Sequence, residues 1–116
     1  MLKVYGIPNC NTMKKAFDYL QANNIPFEFH DYKKKGLSIP QLEAFLDHLG
    51  AEIVLNKQGS TYKQLNDEVK GSLNTPDTLK SFLLEKTSAI KRPIFEKNGR
   101  YLAGFDTDKL DSWLTI

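Results

Sequence analysis

One thiol dominates the chemistry open to this chain. Cys10 is the only cysteine among 116 residues, and it stands in Val4-Tyr5-Gly6-Ile7-Pro8-Asn9-Cys10-Asn11-Thr12-Met13-Lys14-Lys15. The segment reads as a strand, a Gly/Pro turn, a cysteine and then a helix. A thiol at that point meets the partial positive charge and free N–H groups of a helix N-terminus, which favour the thiolate, and the thiolate is the nucleophile. Against this stands the ordinary fate of a lone cysteine in a small domain, an inert buried side chain. The count restricts the mechanism either way. With no second cysteine, Cys10 cannot close an intramolecular disulfide, so any redox cycle must draw its resolving thiol from another molecule.

The other polar residues divide between chemistry and architecture. Asn9, Asn11 and Thr12 read as turn and capping residues whose amides and N–H groups also face the thiolate. Lys14 and Lys15 fall in the first helical turn, where cations oppose the helix dipole. They read either as a solvated helix face or as an attractor for an anion such as a carboxylate. His30 alternates with Phe27 and Phe29 and reads as a strand-edge or packing residue rather than a general base. His48 reads as surface. No His/Cys/Asp/Glu spacing suggests a metal site. Lys33-Lys34-Lys35-Gly36 reads as a solvated turn, since nucleic-acid binding would want arginine or aromatic support. Of sixteen basic residues only Arg92 and Arg100 are arginines, so a cage of several guanidinium forks around an oxyanion is poorly supplied.

The elements that must position Cys10 follow from periodicity. Leu2 to Tyr5 is a strand ended by Gly6 and Pro8. Met13, Ala16, Phe17 and Leu20 mark an amphipathic helix from about Asn11 to Asn23. Residues 26–32 alternate as a second strand, and the resulting βαβ unit implies a parallel pair. Ser38, with Gln41 three residues on, opens a helix with Ile39, Leu42, Phe45, Leu46 and Leu49 as its apolar stripe and Gly50 at its end. Short helical pieces are expected near 61–65 and 67–70. Thr75-Pro76 opens a helix that buries Leu79, Phe82 and Leu83. Asn98-Gly99 between apolar runs signals a type I′ hairpin. Asp106 or Thr107 then caps a last helix carrying Leu110, Trp113 and Leu114.

The order is βαβ, helices, then ββα. It predicts an α/β thioredoxin-like fold in one domain, 1–116, with a helical insertion over about 36–88. The length suits one core. A formal charge of +2 gives no nucleic-acid signal, and no apolar run approaches the ~20 residues of a membrane span. The start, Met1-Leu2-Lys3-Val4, lacks the apolar core of a signal peptide. One cysteine supplies no disulfide framework, so a reducing, cytoplasmic setting is expected.

Tyr5-Gly6-Ile7-Pro8-Asn9-Cys10 with its Thr12-Met13-Lys14-Lys15-Ala16 helix, Phe29-His30-Asp31-Tyr32, Leu55-Asn56-Lys57-Gln58-Gly59 and Ile90-Lys91-Arg92-Pro93-Ile94 together resemble the ArsC/Spx family of thioredoxin-fold proteins, and its YffB-like branch in particular. The resemblance implies a four-stranded mixed sheet with the cysteine at the start of the first helix. It implies that Arg92, just before Pro93, lies beside Cys10, holds an oxyanion and stabilises the thiolate. Pro93 opens its strand, often through a cis bond in such folds. Residues 55–59 would form a loop over the site, with Gly59 able to take the left-handed conformation and Lys57 as a point charge.

The chain also departs from the family. Arsenate reductases of this type carry two further arginines, one matching the Asn56-Lys57 neighbourhood and one near Gly104; this chain has neither. Spx-type regulators usually carry a Cys-x-x-Cys switch, and the second position here is Met13. What the resemblance then implies is a monothiol oxidoreductase with catalytic Cys10 and Arg92. Asn9, Asn11, Thr12, Lys57 and Pro93 would meet substrate. No bound cofactor is expected; glutathione is the co-substrate and glutaredoxin a partner, with neither nucleic acid nor membrane involved. Arsenate reduction with glutathione and glutaredoxin, and an Spx-like regulator that binds RNA polymerase, are the alternatives.

Overall fold

The computed structural model describes residues 1–115. The chain divides into two compact units, Met1–Lys35 with Arg92–Ile116, and Gly36–Lys91.

The first unit is built on a four-stranded sheet of order β2-β1-β3-β4. Its strands are β1 (Leu2–Gly6), β2 (Phe27–Asp31), β3 (Ile94–Lys97) and β4 (Arg100–Ala103). β1 runs parallel to β2 and antiparallel to β3, and β3 is antiparallel to β4. This is the mixed thioredoxin-like sheet expected from the βαβ and ββα order. Helix α1 (Asn11–Ala22) joins β1 to β2, and α8 (Thr107–Leu114) follows β4. The period-2 rule gives β1 two faces. Leu2 and Val4 enter a core with Met13, Ala16 and Leu20 of α1, Phe95 of β3 and Leu110 of α8. Phe17 stacks on Phe27 at 5.5 Å and meets Phe29 edge-on at 4.9 Å, so α1 also covers β2. On the opposite face the Tyr5 ring lies 5.4 Å from that of His30, and its hydroxyl donates to Glu96 at 2.8 Å. His30 is thus a packing residue, as its alternation implied.

The hairpin between β3 and β4 has the expected turn. Asn98 and Gly99 take φ of 52° and 76°, and Lys97 pairs with Arg100 across them. Asp106 caps α8 by accepting from the Lys109 N–H at 3.0 Å. Arg100 lies over the Trp113 ring at 4.9 Å and donates to the Trp113 carbonyl at 3.2 Å. One of the two arginines is therefore committed to the end of α8.

Four expectations need correction, the last of them at Phe82 below. Strand β2 stops at Asp31, and Tyr32–Lys35 forms a one-turn helix, α2, rather than the end of a strand and a turn. The cause is Asp31, whose carboxylate accepts from the N–H groups of Lys33 and Lys34 and turns the chain. Tyr32 is then fully buried. Ile39 is 57% exposed, because it occupies the first helical position after its cap, ahead of the buried stripe. Gly59 has an ordinary φ of −82°; what favours glycine there is space, since a Cβ would stand 3.0 Å from Asn56 Nδ2.

The second unit is helical: α3 (Ile39–Leu49), α4 (Ala51–Val54), α5 (Ser60–Lys63), α6 (Asp67–Ser72), α7 (Pro76–Glu85) and a 3-10 turn, Thr87–Ala89. Ser38 caps α3 by accepting from the Gln41 N–H at 3.2 Å. Asn66 caps α6 in the same way, through the Val69 N–H at 2.8 Å. Leu42, Phe45, Val54, Leu73, Leu79 and Leu83 are buried. Phe82 is only half-buried, so the inner stripe of α7 is narrower than its apolar residues suggested. Leu55 pairs with Ile90 in an isolated antiparallel bridge, and the Lys91 N–H donates to the Val54 carbonyl at 2.8 Å.

Candidate active site

The turn after β1 places the thiol. The Cys10 N–H donates to the Pro8 carbonyl at 3.0 Å, and the Cys10 carbonyl accepts from the Lys14 N–H at 3.0 Å. Cys10 is therefore the N-cap of α1, with extended backbone at φ −147° and ψ 131°. It is a free thiol and half-buried. Below it, Met13 is fully buried against Gly6. A Cβ on Gly6 would stand 2.5 Å from the Met13 Sδ, so this glycine is required by a close approach rather than by its φ. The pair fixes the first turn of α1 against β1.

Electrostatics at the thiol favour the anion. Partial burial pushes the thiol up, but the Met13 N–H, the Arg92 guanidinium and the Thr12 N–H together outweigh it, leaving Cys10 below the usual thiol range. The Sγ makes no strict capping hydrogen bond to the helix. The N–H groups act on it as dipoles at the helix start, and the guanidinium donates to it from β3's approach. Arg92 precedes Pro93 through a cis peptide bond. Pro93 is buried, and its carbonyl accepts from the Gly104 N–H at 2.8 Å.

The sequence reading missed one member of this group. The Tyr32 hydroxyl accepts from the Arg92 guanidinium and feels the charge of Cys10. Burial pushes the Tyr32 phenol far up, against the pull of Arg92, so it stays neutral. Its only signal in the sequence was its place at the end of Phe29-His30-Asp31-Tyr32.

The structure thus brings together Cys10, Arg92 and the backbone of Thr12, with Met13 and Tyr32 added, while Pro93 follows Arg92 directly and bonds Gly104. Asn9, Asn11 and the Thr12 side chain flank the thiol and are exposed. Lys14 pairs with Asp18 at 3.2 Å on the exposed side of α1, as a solvated helix face would. Lys57 belongs to the other unit, where it pairs with Glu52 at 3.5 Å. Among the described residues no group of three His, Cys, Asp or Glu gathers where it could hold a metal, and no helix is long and apolar enough to cross a membrane.

A parallel β1–β2 pair, an antiparallel β3–β4 hairpin, and a cysteine capping the first helix beside a cis-proline strand define a thioredoxin-like α/β protein. The chain belongs to the ArsC family, whose sequence profile matches residues 5–113. Among its relatives, an uncharacterised protein of Haemophilus influenzae is 40% identical over 106 residues, covering 91% of this chain and 92% of its own. The global transcriptional regulator Spx of Lactiplantibacillus plantarum is 27% identical, covering 98% of this chain and 86% of its own. Among solved structures, the YffB protein superposes with a TM-score of 0.89 at 35% identity, covering 97% of each chain. An arsenate reductase-related protein from Brucella melitensis gives 0.79 at 34% identity, covering 99% of this chain and 95% of that one.

Proposed function

We propose that this protein is a monothiol oxidoreductase, a glutathione-dependent thiol reductase with Cys10 as its nucleophile. The observation that carries this reading is the Cys10 thiol at the start of α1, its anion favoured by the Met13 and Thr12 N–H groups and by Arg92. Membership of a family with arsenate reductase-related structures supports thiol redox chemistry in general.

The cycle balances without a second cysteine. Cys10 thiolate attacks the glutathione sulfur of a mixed disulfide. The Cys10–glutathione disulfide forms, and the substrate thiolate leaves and takes a proton from water. A second glutathione thiolate then attacks the glutathione sulfur held on Cys10. Oxidised glutathione departs and Cys10 returns as thiolate, the two electrons having come from glutathione. Glutaredoxin can take the place of the second glutathione. Arg92 attracts the acidic tripeptide, and the reaction suits a compartment rich in reduced glutathione, the cytoplasm.

The test is mass spectrometry of the protein after exposure to oxidised glutathione. The expected product carries one glutathione per chain on Cys10, removed by excess reduced glutathione or glutaredoxin. Arg92→Ala slows its formation, and Arg92→Lys restores the rate only in part, because an ammonium lacks the guanidinium fork. Addition no faster than to an unstructured peptide thiol sinks the enzyme reading. The similarity to Spx over nearly the whole chain then puts a partner-binding regulator first, although Met13 stands where such regulators usually carry their second cysteine.

A further inference from the structure

The helical unit contains a cavity of about 380 Å³, lined by none of the residues gathered at Cys10. Leu46, Leu55, Leu73 and Leu79 give it apolar walls. Two of the elements that line it, α5 and α6, have only four and six residues and carry no buried side chain of their own. Its size lies within the range of small-molecule sites, about 300–1,000 Å³.

Three ammonium groups line it, those of Lys57, Lys70 and Lys80. Two are already answered. Lys57 pairs with Glu52 at 3.5 Å and Lys80 with Glu43 at 3.0 Å. The remaining wall carboxylate, Asp47, forms no ion pair among the described residues and acts on Lys80 only at a distance. Lys70 is different. It is half-buried, it lies 5.2 Å from the centre of the Tyr62 ring, and among the described residues it has no carboxylate partner. Tyr62 itself lines the cavity. An aromatic face orients an ammonium without neutralising it, so the cavity presents one ammonium without an ion pair at the edge of a concavity whose apolar wall is made of leucines.

We propose that this cavity is a binding site for a small apolar monocarboxylate, its body against the leucine walls and its carboxylate on Lys70. A single cation without an ion-pair partner selects a single anionic group, and Asp47 on the same wall disfavours a second one. The apolar walls reject small inorganic anions, which offer nothing to cover them. The proposal does not rest on the reactive thiol.

Phenylacetate is a suitable probe, titrated into the isotope-labelled full chain and followed by the amide NMR signals. Phenylacetamide and phenethylamine serve as its neutral and cationic counterparts. Phenylacetate is expected to give saturable shifts at Leu46, Leu55, Lys70 and Leu73, with the amide weaker by about tenfold or more and the amine weaker still. Lys70→Met abolishes the preference for carboxylate over amide, Lys70→Arg keeps it, and Lys57→Met, whose ammonium already serves Glu52, keeps it as well. The proposal is overturned by the absence of saturable shifts at those residues up to about 10 mM. It is equally overturned by equal binding of phenylacetate and phenylacetamide, or by a preference that survives in Lys70→Met. Should Lys70→Met fail to fold, the carboxylate-to-amide ratio of the wild type in low and high salt decides. A ratio that collapses in salt supports the lysine, and one that does not rejects it.

Discussion

Replacing Gly6 with alanine sets two known effects against each other. The φ of Gly6 is not in the left-handed region, so the backbone alone would welcome alanine, by about 0.4–1 kcal/mol through the unfolded chain. The new Cβ, however, would stand 2.5 Å from the Met13 Sδ and 2.6 Å from its Cε, where 3.4–4 Å is ordinary contact. Met13 must therefore retreat by roughly 1 Å. A thioether bends readily, but this one is fully buried among Leu2, Val4, Ala16, Leu20, Phe95 and Leu110, with no solvent to move into. Overpacking of this kind costs about 1–3 kcal/mol, so the clash wins and Gly6→Ala destabilises by roughly 1–2 kcal/mol, a Tm lower by several degrees. Urea unfolding of a double-mutant cycle checks the cause. Met13→Ala alone costs about 2–5 kcal/mol. In that background the Gly6→Ala methyl enters vacated space, so the second substitution becomes neutral or stabilising. A neutral Gly6→Ala in the wild type, or an equal cost in both backgrounds, refutes the packing account. Because the Met13 N–H favours the Cys10 anion, Gly6→Ala also slows alkylation of Cys10 at neutral pH.

Alkylation rate against pH should show Cys10 titrating below the ~8.5 of a free thiol, since its anion has partners in the fold. The sign for stability follows: wild type gains on Cys10→Ser as pH rises from the folded pKa toward ~8.5, and loses that gain as pH falls through the folded pKa. Cys10→Ser should abolish thiol transfer yet stay folded, serine being a good N-cap; an unfolded variant would mark the cysteine as structural. Tyr32→Phe removes a buried acceptor of Arg92 and should cost about 1–3 kcal/mol while moving the Cys10 midpoint upward; an unchanged midpoint would show that Tyr32 does not orient the guanidinium. Arsenate turnover should remain poor even with glutathione and glutaredoxin supplied, because Arg100 is held at Trp113 and only Arg92 is left to hold an oxyanion of like charge to the thiolate. Turnover comparable with a dedicated arsenate reductase would refute that.

Much of the frame was legible because local chemistry and tertiary demand agree. Gly6 and Pro8 end β1, Asn98-Gly99 turns the hairpin, and Thr75-Pro76 starts α7, each through backbone preferences that need no partner. Cys10 was legible for the same reason, as a helix start is a local feature. The errors arose where one side chain overruled a pattern. Alternation carried β2 through Tyr32, whereas the Asp31 carboxylate captures two N–H groups and turns the chain one residue earlier. The buried phenol beside Arg92 was therefore read as a strand residue. The walls of the helical unit's cavity escaped as well, since a concavity between α3, α6 and α7 leaves no period in the sequence.

The strand order has a consequence in time. β1 sits inside the sheet, yet its second neighbour, β3, comes roughly ninety residues later. During synthesis the β1–α1–β2 unit emerges first, and with it the N–H groups that act on Cys10. Arg92 follows roughly eighty residues behind, which at ~5–20 residues per second is a lag of about 4–16 s. Over that interval the nascent thiol has the larger, local share of what favours its anion, and one edge of β1 is open to strangers. The Arg92 guanidinium adds its share with the strand that closes that edge. The Cys10 anion thereby gains its last partner only on completion of the sheet.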